Sequence, residues 1–335
     1  MTGIHPYPLG HSRAFFHGFR PWTVSLFCEP GVKDLSRYLS FLERRRICNN
    51  TNREIVSLTN NKLFFPQSLG PWAYLVPENV AYMKNGQCFD VRSGSFDRVS
   101  PERLLATESG RFVIKPIGGK CSRGVHFITV TDGVPFQQDK PLTGQELAAL
   151  ADPSGSIVCR YIEQHRDISR IFPEAVMTIR LHTYHDDATG RGRILCGFAR
   201  MGTAASAPFE SITRGGLVVS LDIETGTLGQ GLRFGAQTFR RKPPRHFTDT
   251  HPDTGERING FPLPNWQQMI DTMQQLTDAL PLFEFIGWDI VLTSDSFSIL
   301  EANTRPCTDT IQYFQPLLDD RPFRDFLIRR GFLRR

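Results

Sequence analysis

Apolar side chains recur at helical spacing in several stretches of the chain. Leu35, Leu39 and Leu42 fall on one side of residues 33–46, because residues three and four apart share a face of an α-helix. This apolar face is expected to pack in a core. The same spacing predicts a helix over 264–280 and a further helix at the C-terminal end of the chain.

Short apolar runs, bounded by glycine, proline or polar residues, predict β-strands. They occupy residues 73–76, 111–116, 125–130, 156–162, 177–184, 193–201, 215–223, 287–293 and 297–303. Helices and strands are mixed without regular β-α-β alternation. The pattern therefore predicts an α+β protein rather than a doubly wound parallel sheet. Residues 234–264 are rich in Pro, Arg and His, and we expect them to form a long irregular surface segment.

Composition adds size and charge to this description. The chain has 335 residues, of which 40% are apolar and 22% charged, which is typical of a globular protein with two or three lobes. The net charge of +5 suits anionic ligands. The two basic clusters of the chain, at 44–46 and in the C-terminal tail, fall at the ends of predicted helices, where cations suit the helix dipole. No nucleic acid partner is expected.

The cysteines and the longest apolar runs bear on location. The seven cysteines are widely spaced and include no C-x-x-C pair, so neither a zinc site nor a disulfide framework is indicated. No apolar run approaches the roughly 20 residues of a membrane span. The N-terminal segment carries Pro6, Pro8 and Arg13 where a signal peptide needs an unbroken apolar core. We expect a cytoplasmic protein.

The first candidate for chemistry is the predicted hairpin 287–303. Glu301 and Asn303 share one face of their strand because side chains alternate, and Asp289 lies on the partner strand. Two carboxylates and an amide oxygen are donors that suit Mg²⁺. A half-exposed hairpin with polar residues facing water explains the pattern about equally well.

The second candidate is a lysine followed by a glycine-rich loop. Lys115 ends a predicted strand, and the loop from Gly118 to Gly124 follows it. Glycines let backbone N–H groups approach phosphate oxygens closely, and Lys120, Ser122 and Arg123 add donors. The Walker A spacing is absent. A surface hairpin with turn glycines is the simpler alternative.

Together and in this order, the two candidates resemble the ATP-grasp superfamily, in particular the sugar-transfer-associated ATP-grasp family, which is related to α-L-glutamate ligases. The resemblance covers about residues 55–310. It is carried by Asn61-Lys62, Val76-Pro77, residues 112–125, residues 157–165, Thr178-Ile179-Arg180, Arg200-Met201-Gly202, Gly215-Gly216, Gly287-Trp288-Asp289 and Glu301-x-Asn303. Arg160 stands where many relatives have an acidic hinge residue.

The resemblance implies an ATP-grasp fold with two α+β lobes that grip ATP, together with an N-terminal helical extension. It divides the chain into an extension (1–54), the start of the module (55–76), a lid with the glycine-rich loop (77–162) and a C-terminal subdomain with the metal site (163–335).

The resemblance also implies residue roles. Nucleotide contacts are implied for Lys62, Lys115, Gly118, Gly119, Lys120, Ser122, Arg123, Gly124, Tyr161, Ile162 and Glu163. Asp289, Glu301 and Asn303 would hold Mg²⁺, or Mn²⁺ in its place. Arg180, Arg200 and Lys115 would be catalytic, by stabilising charge on the transferred phosphoryl group or the substrate. The backbone groups of Tyr161 and Ile162 would read the adenine edge.

The activity that follows from the resemblance is an ATP-dependent carboxylate–amine ligase that works through an acyl phosphate and releases ADP and phosphate. It implies small-molecule carboxylate and amine substrates, a link to polysaccharide or sugar metabolism, and a homodimer. Two alternatives stay open: a phosphotransferase acting on a small hydroxylated substrate, and a nucleotide-binding module without turnover. Among the histidines, His182 beside Arg180 is the candidate base.

Overall fold

The computed structural model describes residues 18–19, 34–106, 108–119, 122–233 and 246–333. Their contacts divide them into two compact units. The first unit contains the described residues of Met1–Glu54, Arg166–Asp289 and Asn303–Arg335, and the second contains those of Ile55–His165 and Ile290–Ala302.

The described helices are short, and the longest has 14 residues. The α-helices are α1 (Phe41–Asn50), α2 (Val56–Asn60), α3 (Phe65–Ser68), α4 (Pro101–Leu105), α5 (Gly144–Ala149), α6 (Arg166–Ile171), α7 (Trp266–Ala279) and α8 (Arg321–Arg329). Short 3-10 helices cover Leu35–Arg37, Gly70–Leu75, Ile212–Arg214, Ile311–Tyr313 and Leu317–Asp319. Within the described ranges no helix combines the length and apolar character of a bilayer crossing.

The strands form two mainly antiparallel sheets. They are β1 (Asn79–Lys84), β2 (Gln87–Asp90), β3 (Asp97–Val99), β4 (Gly110–Pro116), β5 (His126–Thr131), β6 (Val134–Gln137), β7 (Lys140–Pro141), β8 (Ser156–Arg160), β9 (Thr178–Asp186), β10 (Arg191–Met201), β11 (Leu217–Leu221), β12 (Leu228–Arg233), β13 (His246–Thr248), β14 (Phe285–Leu292) and β15 (Phe297–Asn303).

The second unit is built on an eight-stranded sheet in the order β3-β2-β1-β8-β4-β5-β6-β7. One face carries a core that includes Phe112, Ile114 and Val158, covered by leucines of α4 and α5. The opposite face carries a smaller cluster that includes Ile157 and Cys159. Because side chains alternate along β4, Lys115 lies on the face of this smaller cluster, next to the glycine-rich loop.

The first unit contains the seven-stranded sheet, in the order β13-β12-β11-β10-β9-β14-β15; residues Ile290–Ala302 of its last two strands are counted in the second unit. One face packs against α1 and α8 around Phe198, Phe285 and Phe323. The helix α7 lies against β9 and β10. The α+β architecture with antiparallel sheets confirms the predicted fold class.

Two predicted elements were wrong. The predicted helix over 33–46 starts only at Phe41, because Ser40 and Glu43 form a reciprocal capping box that fixes the first turn there. The predicted strand 73–76 is the end of the 3-10 helix Gly70–Leu75. Pro71 suits the start of a helix, and a short apolar run does not by itself distinguish strand from helix.

Of the segment 234–264, residues 234–245 lie outside the described residues, and β13 interrupts the rest.

Candidate functional site

An ionic cluster lies at one end of the sheet in the first unit. The guanidinium of Arg180 on β9 donates to both oxygens of Asp289 on β14, with Nε–Oδ1 at 2.5 Å and Nη2–Oδ2 at 3.0 Å. Arg200 on β10 places its Nη2 3.0 Å from the same Oδ1. The side chains of Arg180 and Asp289 are only 10% and 9% exposed. A bidentate pair of this kind is both strong and directional.

Three further polar side chains extend the cluster. Thr178 Oγ1 accepts from Arg200 Nε at 3.0 Å, and Glu210 Oε1 lies 3.2 Å from Arg200 Nη2. Asn303 donates its amide N–H to Asp289 Oδ2 at 3.3 Å and to the carbonyl of Gly287 at 3.1 Å. Sequence reasoning missed Glu210. It lies in the loop after β10, and no motif or periodicity marked it.

The strands themselves explain why these charges meet. On one face of β9, β10 and β14 the side chains change along the strands from the apolar core of Tyr184, Phe198 and Phe285 to the arginine cluster. Gly287 leaves the room that Arg180 needs, since a Cβ there would lie 3.0 Å from Arg180 Cδ and 2.9 Å from Pro306 Cβ. The glycine of the G-W-D motif is therefore required by packing.

The electrostatics of the cluster favour the ionised carboxylate. Burial acts to raise the pKa of Asp289, but the charges and hydrogen bonds of Arg180 and Arg200 outweigh it and hold the pKa below its usual range. A buried carboxylate with two guanidinium partners stays charged at neutral pH. Asp289 is thus a fixed negative charge between two fixed positive ones.

The prediction that His182 acts as a base was wrong. Its side chain is fully buried between the rings of Phe198 and Phe285. The backbone of Cys307 lies close enough to favour the charged imidazole slightly, but neither ring nitrogen forms a hydrogen bond of normal geometry. Burial lowers the pKa of His182 to about 3. A group without access to solvent or substrate cannot exchange protons during a reaction.

In the second unit, Lys62 lies beside the glycine-rich loop. Its Nζ donates to the carbonyl of Gly119 at 2.8 Å and lies 3.8 Å from the carboxylate of Glu301. Its backbone N–H donates to Ile117 at 3.0 Å. Lys115 is half-buried on the neighbouring β4. The structure therefore brings Lys62 to the loop and Glu301 to Lys62, although positions 62 and 301 are 239 apart in the sequence.

Backbone conformation and local packing explain some glycines of this loop but not all of them. Gly124 has φ +67°, and a Cβ at Gly119 or Gly124 would lie 3.0 Å from the ring of Pro116. Gly118 has an ordinary φ, and no described atom lies within 4 Å of a Cβ built on it. Ser122 has φ +53°, and Arg123 is exposed. Lys120 lies outside the described residues.

The predicted adenine hinge follows β8. The N–H of Tyr161 donates to the carbonyl of Arg111 at 2.9 Å, so of its backbone groups only the carbonyl is available to an adenine. Its ring is held by the Arg111 guanidinium, 3.7 Å from the ring centroid, and by Phe127 at 5.9 Å. The carboxylate of Glu163 lies 3.3 Å from Arg111, and Ile162 is half-buried beside it.

Within the second unit, the guanidinium of Arg160 forms ion pairs with two glutamates. Its Nε lies 2.8 Å from Glu78 and its Nη2 2.8 Å from the buried carboxylate of Glu108. Arg92 approaches Glu108 from the other side at 2.6 Å. The guanidinium of Arg160 is thus held by carboxylates on both sides of its strand end.

The donors Asp289, Glu301 and Asn303 fit the chemistry of Mg²⁺, which prefers carboxylate and amide oxygens. Asn303 uses its amide nitrogen for Gly287 and Asp289, and no described group donates to its Oδ1. The parts of the chain that the structure describes contain no group of three or more His, Cys, Asp or Glu that could hold a metal ion. The predicted set needs only two carboxylates and one amide.

A model of the sugar-transfer associated ATP-grasp family matches residues 43–318. The chain belongs to this family. The match extends over most of the chain and includes the arginine cluster, the glycine-rich loop and the predicted hinge. No curated protein matches the chain.

Solved structures match this ATP-grasp chain only at low identity and with TM-scores below 0.5. N5-carboxyaminoimidazole ribonucleotide synthetase in complex with ADP is 11% identical over 79% of this chain and 53% of its own, with a TM-score of 0.40. D-alanine–D-alanine ligase from Helicobacter pylori is 12% identical over 82% and 57%, with a TM-score of 0.37. The biotin carboxylase domain of 2-oxoglutarate carboxylase from Hydrogenobacter thermophilus is 11% identical over 93% and 58%, with a TM-score of 0.42. The chain spans just over half the length of these proteins.

Proposed function

We propose that this ATP-grasp chain is an ATP-dependent ligase that joins a carboxylate to an amine through an acyl phosphate. The observation that carries the proposal is the pair of largely buried guanidinium groups of Arg180 and Arg200. Transfer of a phosphoryl group to a carboxylate brings negative charges together, and fixed cations in a buried site offset this repulsion. Family membership supports the same reaction class.

The reaction balances in two steps. A carboxylate oxygen of the acid attacks the γ-phosphorus of ATP, the bond to the β–γ bridging oxygen breaks, and ADP leaves. The lone pair of an amine then attacks the carbonyl carbon of the acyl phosphate. Phosphate leaves with the electrons of the C–O bond, the nitrogen loses a proton, and an amide results. Phosphorylation thus replaces a very poor leaving group with a good one.

Each candidate residue has a place in this scheme. Lys62 and Lys115 neutralise phosphate charge as point cations, and the backbone at Gly118 admits the phosphates closely. The carbonyl of Tyr161 accepts from the adenine amino group. Mg²⁺, held by Asp289, Glu301 and Asn303, would neutralise charge on the phosphate oxygens.

The arginines act on the acid side. Arg180, whose side chain packs against Gly287, stabilises the phosphoryl group in transfer. Arg200, which is more exposed at 19%, binds the acid or the acyl phosphate. The family's description suggests that the acid or the amine belongs to sugar metabolism.

Thermal unfolding with and without MgATP tests nucleotide binding, and hydroxylamine trapping tests the intermediate. MgATP at one hundred times its dissociation constant should stabilise the wild-type chain by about 2.7 kcal/mol. Glu301→Gln should lose this stabilisation, because one carboxylate oxygen donor is removed. With a mixture of small carboxylic acids, ADP release should be accompanied by a hydroxamate. ADP release without a hydroxamate, with phosphate retained on a hydroxyl, would show a phosphotransferase instead.

A further inference from the structure

Both oxygens of Asp289 are fully engaged. Oδ1 accepts from Arg180 Nε and Arg200 Nη2, and Oδ2 accepts from Arg180 Nη2 and Asn303 Nδ2. A carboxylate offers about four lone-pair positions. The side chain therefore has no acceptor position to spare, and any new ligand on Asp289 must replace an existing donor.

The charges in the cluster also cancel. Asp289 and Glu210 are negative, while Arg180 and Arg200 are positive, and each carboxylate lies within 3.2 Å of at least one guanidinium. An anion approaching this cluster meets no net positive charge, and it meets guanidinium donors that already have acceptors. Both features weaken anion binding.

We infer that Arg180 and Arg200 form an oxyanion-binding site that Asp289 keeps closed until a divalent cation takes the carboxylate. The inference rests on the proposed function only for the assignment of Asp289 as a cation ligand. When Asp289 serves a cation, Arg180 and Arg200 each lose one carboxylate acceptor, and the negative charge of Asp289 no longer offsets theirs. Both changes favour a phosphate or carboxylate group at the arginines.

The two arginines are not equally free to respond. Arg180 is 10% exposed and lies across Gly287, where even a Cβ would not fit. Arg200 is 19% exposed and is shared between Asp289 and Glu210. Arg200 is therefore the side chain that turns toward the anion. Arg180 moves little, and the anion replaces Asp289 as its hydrogen-bond acceptor.

Linkage requires the effect to be reciprocal. If a cation on Asp289 tightens anion binding at the arginines by some factor, the anion tightens cation binding by the same factor. In the reaction this coupling delays binding of the acid or phosphoryl group until the cation is in place. A carboxylate substrate would then bind only weakly as long as no cation is bound to Asp289.

Titration calorimetry with inorganic phosphate on the full chain tests the inference. Wild-type protein should bind phosphate at least tenfold more tightly with saturating Mg²⁺ than without it. Asp289→Asn removes the competing carboxylate, so it should bind phosphate without Mg²⁺ within about threefold of the wild-type value with Mg²⁺. Asp325→Asn removes the same charge from the exposed face of α8 and should behave as wild type.

Circular dichroism establishes that the variants are folded. If Asp289→Asn fails to fold, Glu210→Gln gives the second test, because it removes one negative charge beside Arg200 and should strengthen phosphate binding severalfold while the response to Mg²⁺ is retained. Phosphate affinity in wild-type protein that does not change with Mg²⁺ would overturn the inference. So would a folded Asp289→Asn protein with no gain in Mg²⁺-independent binding. Retained stabilisation of wild type by MgATP alongside either result would leave the proposed function standing.

Discussion

At the scale of single residues, Gly118 is unusual among the described glycines. Every other described glycine has either a positive φ or an atom within 4 Å of the position that a Cβ would take. Gly118 has neither, so local packing gives no reason for a glycine there. Close approach of a ligand to the backbone does give one.

Gly118→Ala should therefore weaken MgATP binding without unfolding the protein. A methyl group at this position obstructs backbone donation to a phosphate, and the loss of one charge-assisted hydrogen bond costs about 1.5–3 kcal/mol, or roughly tenfold or more in affinity. Calorimetric titration with MgATP measures the affinity, and thermal unfolding without ligand should match wild type. Gly124→Ala is the matched contrast. It should lower thermal stability even without nucleotide, because of its φ of +67° and the nearby Pro116 ring.

Single residues also show where sequence reasoning ends. Arg180 and Asp289 were each selected from short motifs, but their contact joins positions 109 residues apart and could not be read from either motif. Asn52 was not selected at all, yet its buried amide pairs with the backbone of Phe285. The role of an isolated polar residue depends on what folds against it. Lone polar side chains such as Asn52 and Glu210 therefore carry no sequence signal.

At the scale of elements, the helix α7 is joined closely to β10. Asp278 accepts from the N–H of Gly192 at 2.8 Å, and Gln274 donates to its carbonyl at 2.9 Å. A Cβ on Gly192 would lie 2.5 Å from the backbone carbonyl carbon of Thr277. Helix α7 and strand β10 can thus lie this close together only because Gly192 has no side chain.

Gly192→Ala should destabilise the protein by about 1–3 kcal/mol, the usual cost of overpacking a tight contact. The midpoint of urea unfolding measures the change. Thr277→Ala removes the Thr277 methyl group but leaves its backbone in place, so the double variant should recover little of the loss. Full recovery in the double variant would place the contact in the side chain and contradict this explanation.

Elements were predicted best where their pattern is long or bounded by turn residues. The strands β4, β5, β14 and β15 were predicted to within about two residues at each end, because glycine, proline and short polar turns delimit them. The run 73–76 has no alternation and too few residues to separate a strand from a 3-10 helix. The order of strands in the two sheets depends on contacts distant in sequence, and no local pattern encodes it.

At the scale of the whole molecule, stability should fall on mild acidification. Burial, assisted by Arg180 and opposed by Asp289, lowers the pKa of His182 from 6.5 to about 3. Between these values the unfolded chain binds a proton at this residue and the folded chain does not. Folding stability then decreases as the pH falls through this window, by up to about 1.4 kcal/mol for each pH unit.

His182→Leu should flatten the dependence of unfolding free energy on pH between about 6.5 and 4.5. The leucine fits the apolar position between Phe198 and Phe285 and takes up no proton in the unfolded state. Urea unfolding over this pH range measures the slope. A His182→Leu protein with an unchanged slope would assign the acid sensitivity to other groups.

The position of Glu210 has a consequence for evolutionary divergence. Arg180 and Asp289 lie within paired strands, where any replacement disturbs the sheet or leaves a buried charge without a partner. Glu210 lies in the connection between β10 and β11, and loops accept changes that strands do not. A single mutation there alters the charge beside Arg200 while the scaffold stays intact. If Arg200 binds the acid as proposed, new substrate preferences can thus arise by drift at this one loop position.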